Sequence, residues 1–120
     1  SLKSAEVFSN PSDIRKVLRW VAITSGKIHD LDISASTGVH DANAMIKMLL
    51  AGAHTVQVCS AVYEQGTEII SQILKGLEEW MDKKAMDSVQ DFRGRLNYNK
   101  LKNPEMYERS QFMKYFSNHV

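Results

Sequence analysis

Asp32-Ile33-Ser34-Ala35-Ser36-Thr37-Gly38-Val39 and Val56-Gln57-Val58-Cys59-Ser60-Ala61 are two stretches of one design. Each opens on β-forming, partly alternating residues and runs into a turn of small ones. Alternation over such a length, closed by Ser, Thr and Gly, predicts a short strand. The spacing gives strands over 31–36 and 55–61. Between them Asp41 is placed to cap a helix over 42–51, with Gly52 just past its end. Strand, helix, strand is the signature of a right-handed βαβ unit with parallel strands.

Outward from that unit the remaining elements are helical. Asn10-Pro11-Ser12-Asp13 combines a capping residue, a Pro at the first helical position and an acid in the first turn. Ile14, Val17, Leu18 and Val21 then recur at helical spacing, which predicts a helix over 11–25 with Gly26 as its stop. From Gly66 to Lys84 the apolar positions Ile69, Ile70, Ile73, Leu74, Leu77, Trp80 and Met81 form the cleanest amphipathic pattern in the chain. Ser88 to Phe92 reads as a short helix ending at Gly94. Asn103-Pro104-Glu105 opens a last helix carrying Tyr107, Phe112, Met113 and Phe116. The predicted class is α/β, in the order α-β-α-β-α-α-α, with residues 95–120 as a C-terminal helical extension of a single partial domain spanning 1–120.

The chain has 120 residues, 43% of them apolar, and a formal net charge of +1. It is long enough for one modest core. Parallel strands need both faces covered, and the helices here account for only one. Strands are therefore expected to be missing, with an apolar face left behind. Residues 93 to 114 hold six Lys or Arg against two Glu, which leaves a net charge of about −3 on the first 92 residues. That mildly basic tail lacks the dense basic patch of a nucleic-acid binder, so no nucleic-acid partner is expected. One cysteine excludes an internal disulfide and suits a reducing compartment. No stretch approaches the roughly 18 apolar residues of a membrane span. The expectation is a cytoplasmic protein without a membrane partner.

Ligands of parallel sheets gather at the carboxyl ends of the strands. Here those ends are the turns Ser36 to His40 and Ser60 to Gln65. Gly38 lets backbone approach an anion, Ser36, Thr37 and Ser60 offer hydroxyls, and the helix opening near Asp41 offers free N–H groups. Paired turns of this kind can hold a phosphate group. Small residues in the same places also serve simply to let strands and helices pack closely. The four histidines show no metal-ligand spacing and read as surface or capping residues. Cys59, inside a predicted strand, reads as a buried thiol. No acid–base pair stands out.

With these residues in place, the stretch from about Asp13 to Leu96 resembles the carboxyl end of class 1 dihydroorotate dehydrogenases. The residues that carry the likeness are 32–39 and 56–61 as quoted above, Leu50-Ala51-Gly52-Ala53 and Asp91-Phe92-Arg93-Gly94. The ending Tyr107-Glu108-Arg109 through Gln111-Phe112-Met113-Lys114-Tyr115-Phe116 looks like the tail of one bacterial branch. The resemblance implies a (β/α)8 TIM barrel that binds FMN and oxidises the small-molecule substrate dihydroorotate to orotate in pyrimidine synthesis. It implies further that the strands here are the seventh and eighth of that barrel. In the family a Gly-Gly turn follows strand seven, a Gly-Thr turn follows strand eight, and both hold the FMN phosphate through backbone N–H groups. By position those contacts fall on Thr37 and Gly38, and on Cys59 and Ser60. Thr37 and Cys59 thus replace family glycines, and a turn that needs positive φ would be strained by Thr.

The family's catalytic base, flavin-contacting lysines and most substrate-binding asparagines precede strand seven. A whole barrel needs roughly 250 residues, so the implied identity is a C-terminal fragment, catalytically incomplete, with FMN binding confined to the phosphate end. Open strand edges make a homo-oligomer the expected state. Two alternatives remain at this point: part of another phosphate- or flavin-binding barrel enzyme, and a stand-alone helical interaction module.

Overall fold

The computed structural model describes residues 8–97. The helix expected over 42–51 is there as drawn. This helix, α2, spans Ala42–Ala51, and the Asp41 carboxylate accepts the Ala44 N–H at 2.8 Å at its start. Gly52, with φ of 120°, ends it, and the N–H groups of Gly52 and Ala53 turn back onto the Leu49 and Met48 carbonyls. Six of its ten residues are buried, because α2 lies between two other helices.

One neighbour is α1, Ile14–Lys27, preceded by a 3-10 turn over Pro11–Asp13. The Asn10 N–H donates to the Asp13 carboxylate at 2.8 Å, as the capping pattern requires. Gly26 does not stop this helix. It is not among the glycines with positive φ and is buried in the last turn, and the backbone becomes extended only at Ile28. Across the interface Ser25 Oγ donates to the Ala51 carbonyl at the end of α2.

The other neighbour is the amphipathic helix, Glu68–Lys83, slightly shorter than the predicted span. Ile69, Ile73 and Leu77 form its buried stripe, while Ile70 and Leu74 face outward. It crosses the start of α2 so closely that a Cβ on Gly76 would overlap the Ala42 methyl. It is numbered α4, because a further helix precedes it. Ser60–Gln65, expected as a loop, forms the short helix α3.

The strands β1, Ser34–Ala35, and β2, Thr55–Val56, are parallel, with Ser34 opposite Thr55 and Ala35 opposite Val56. The ladder is extended by His54 and Thr55 N–H groups on the Ile33 carbonyl and by Gln57 N–H on the Ala35 carbonyl. Both strands are shorter than predicted. The chain swings away after Ser36 as Thr37 takes a φ of 82°, so, among the described residues, 58–61 have no partner in the ladder. β-propensity without a neighbour does not make a strand.

Directly opposed residues share a face. Ala35 and Val56 face the helices, whereas Ser34 and Thr55, with Ser36 and Gln57 beyond them, are exposed. Gln57 Nε2 donates to Ser34 Oγ across that outer face at 3.0 Å. The uncovered face is polar, contrary to the apolar face expected of orphaned parallel strands.

The main core joins Leu18, Val21 and Ala22 of α1 to Ile46, Met48 and Leu49 of α2, with Ala35, Val39, Leu77, Phe92 and Leu96 around them. A smaller cluster of Ala61, Ile69 and Ile73 secures α3 to α4. Among the described residues after α4 only a 3-10 turn forms, Val89–Asp91, and Phe92 beyond it is fully buried, edge-on to Trp80 at 4.9 Å. Gly94 and Leu96 then donate N–H groups to the Leu49 and Leu50 carbonyls, capping the end of α2. Arg93 Nε reaches the Ala53 carbonyl at 3.2 Å. The helix expected from Asn103, the tail motif from Tyr107 and nearly all of the 95–120 extension lie outside the described residues.

Candidate functional site

Because β1 and β2 are parallel neighbours, the turns after Ala35 and Val56 leave from the same end of the sheet. The first turn is fixed from beneath. Val39 is buried in the core, and Gly38 sits under the start of α1. A Cβ on Gly38 would fall 2.5 Å from the Ile14 backbone nitrogen. Close packing of the helix on the turn therefore demands glycine here, in addition to its φ of 84°. Thr37, exposed, holds the preceding φ of 82°, a conformation that glycine adopts without strain.

The second turn is short. Val58 is half-buried against the smaller core, Cys59 leaves extended geometry at ψ −68°, and Ser60 starts α3. Cys59 is exposed, not buried in a strand as its sequence context suggested. The cause is the early end of β2, which turns this position outward. Ser60 is buried, and Ala61 behind it is sealed in the core. So the four candidate residues divide into an exposed and a buried member in each turn: Thr37 and Gly38, Cys59 and Ser60.

Among the described residues, the backbone N–H groups of Thr37, Gly38, Cys59 and Ser60 make no hydrogen bond within the chain. Such groups need water or a ligand. At the opening of α2 the Asp41 carboxylate caps the helix through the Ala44 N–H, as its position predicted. An acid at that position itself meets the helix dipole.

Two polar residues outside the four candidates meet here. His40, expected as a surface or capping residue, is buried at 9% exposure, and its Nε2 lies 3.1 Å from Ser9 Oγ. The Ser9 N–H donates to Ser60 Oγ at 2.9 Å. Phe8 stacks on Tyr63 of α3 at 4.5 Å. Ser9 was legible only as a residue before a helix cap, since its partners lie 31 and 51 positions away.

Elsewhere the chemistry is sparse. His54 accepts the Ile33 N–H at Nδ1 and presents Nε2 to Asp32 at 3.4 Å, at the opposite end of β1. Among the described residues, no cluster of His, Cys, Asp or Glu could hold a metal ion. An open apolar groove of about 310 Å³, lined by Lys16, Val17, Trp20, Val21, Thr24 and Ile33, shares no residue with the turns.

No family model matches the chain. Curated relatives do. Over 67 residues, 56% of this chain, it is 36% identical to dihydroorotate dehydrogenase A (fumarate) of Lactococcus lactis subsp. lactis, and the match covers 22% of that protein. It is 34% identical over 67 residues to dihydroorotate dehydrogenase (fumarate) of Lachancea kluyveri, covering 56% of this chain and 21% of that one. The corresponding protein of Lactococcus lactis subsp. cremoris is 33% identical over 67 residues. The match thus spans about a fifth of the length of these relatives. Across more than half of its own length, the chain is similar in sequence to the dihydroorotate dehydrogenases, the family that its motifs resemble.

Proposed function

We propose that this chain is the FMN-phosphate-binding, C-terminal part of a dihydroorotate dehydrogenase-like oxidoreductase. In this reading β1 and β2 are the seventh and eighth strands of a TIM barrel. The observation that carries it is the pairing of two turns at one end of a parallel ladder, with the N–H groups of Thr37, Gly38, Cys59 and Ser60 unpaired among the described residues. Anions are held by backbone donors of successive turns where these converge. The positive φ at both Thr37 and Gly38 supports the reading, because a Gly-Gly turn is what that backbone favours.

FMN, when bound, would supply the electron acceptor for the oxidation of dihydroorotate to orotate. The residues here would hold its phosphate, with Ser60 Oγ as a neighbouring hydroxyl. Substrate orientation and proton removal would fall to segments outside this chain, so residues 1–120, a single partial domain, would be inactive alone. The parent protein acts on a small molecule in the cytoplasm, as a homo-oligomer. No helix of the described residues is long and apolar enough to cross a membrane.

The test is a titration of the ¹⁵N-labelled chain with millimolar FMN, with riboflavin, which lacks the phosphate, as the control. FMN alone is expected to move the amide resonances of Thr37, Gly38, Cys59 and Ser60. Unmoved resonances, or equal movement with riboflavin, would count against the assignment.

A further inference from the structure

Ser9 reaches both turns at once. Its N–H donates to Ser60 Oγ at 2.9 Å in the turn after β2, and its Oγ lies 3.1 Å from His40 Nε2 in the turn after β1. The partners are 7% and 9% exposed and Ser9 itself is half-buried, so both bonds are partly shielded from water. The flanking geometry reinforces the arrangement. On one side the Phe8 ring stacks on Tyr63 of α3, with an interplanar angle of 24°. On the other, Ile14 backbone lies against Gly38 so closely that no Cβ fits between them. The segment from Phe8 to Ile14 is therefore seated along the ligand end of the sheet, and Ser9 is its point of attachment to both turns.

The two-stranded ladder cannot by itself fix how the turns sit. It ends at Gln57 N–H on the Ala35 carbonyl, and each turn then departs on its own path. A phosphate bound by donors from both turns needs their spacing set to a fraction of an ångström. Packing holds each turn on its own element, and two hydrogen bonds through a single serine join one turn to the other.

We propose that Ser9 is a positioning residue that couples the two strand-end turns and so presets their spacing for a phosphate group. The coupling stands on the geometry alone, while its purpose rests on the phosphate-binding reading. Ser9 itself does not touch the ligand in this scheme. It acts through His40 and Ser60.

The experiment uses the whole 120-residue chain, ¹⁵N-labelled, as wild type, Ser9→Ala, Ser60→Ala and Ser9→Thr, with inorganic phosphate as the probe. Ser9→Ala removes the bond to His40 and leaves the N–H to Ser60. It is expected to shift the Cys59 and Ser60 amides as well as those of Gly38 and His40. Ser60→Ala is expected to shift the Gly38 and His40 amides in turn. Ser9→Thr, which keeps both groups, should restore the wild-type positions and the wild-type ¹⁵N resonance of His40 Nε2. Phosphate affinity should fall about tenfold in Ser9→Ala and recover in Ser9→Thr.

Shifts confined to the mutated side of the pair would overturn the coupling, whatever phosphate does. Phosphate that binds wild type and Ser9→Ala equally would overturn the positioning role and leave the phosphate reading intact. Phosphate that moves no turn amide in wild type would sink the phosphate reading, and the coupling would then be decided by the cross-turn shifts.

Discussion

Three single residues carry backbone conformations at odds with, or dictated by, their side chains. Thr37 holds a φ of 82° with a β-branched side chain, a combination that costs about 1–3 kcal/mol. Thr37→Gly relieves this, but loosens the unfolded chain by roughly 0.5–1 kcal/mol. The net expectation is a gain of about 1 kcal/mol in urea denaturation, and a loss would mean that the Thr37 side chain makes a compensating contact. Ala85 has a φ of 55° just after α4, where its N–H meets the Asp82 carbonyl and Met86 N–H meets the Met81 carbonyl. That is a Schellman end lacking its glycine. Ala85→Gly should stabilise by about 0.5–1 kcal/mol, read in the same denaturation series. Gly38→Ala should do the reverse. Its methyl would press into the Ile14 backbone, and a cost of about 2–3 kcal/mol is expected. The need for Gly38 was legible in the sequence, although the neighbour that imposes it, a helix start in another element, was not.

Elements set by local signals were legible to within a residue or two. Asp41 and Gly52 bracket α2, and the Ile69-Ile73-Leu77 stripe locates α4. The strands were not, because their length depends on a partner and not on propensity: β2 stops where β1 turns away at Thr37. The four candidate site residues could be named from the turn chemistry and the resemblance, while the exposure of Cys59 follows from that same early strand end and the burial of His40 comes with a contact to Ser9, 31 positions away. Equally hidden was the role of residues 92–96, which close the carbonyl end of α2 through Gly94 and Leu96. Phe92, wholly buried beside Trp80, anchors this strap. Phe92→Ala is expected to cost about 3–5 kcal/mol. It should also speed amide exchange at Gly94 and Leu96 well beyond that at Ala44, which Asp41 caps independently. Equal acceleration at all three would show that the strap has no stability of its own.

For the whole molecule the question is what completes a two-stranded parallel sheet. Such sheets are ordinarily buried within larger ones, and among the described residues each strand here pairs along one edge only. The outer face does not supply the drive to associate, since Ser34, Ser36, Thr55 and Gln57 make it polar. The drive lies at the edges and at one flank. Unpaired strand edges are templates for another chain. Beside β1, Trp20 stands 57% exposed over the groove it shares with Val17, Val21 and Ile33, and Leu31 is 61% exposed. An edge and an apolar flank at the same strand favour a closed, symmetric pairing of two copies. The chain is therefore expected to scatter light as a dimer or larger closed assembly at micromolar concentration. Trp20→Glu should shift that equilibrium toward monomer without unfolding the chain, because the indole contributes little to the core. A wild-type monomer under those conditions would refute self-association. Dimers unaffected by Trp20→Glu would move the interface away from this flank, to the exposed Ile70 and Leu74 of α4.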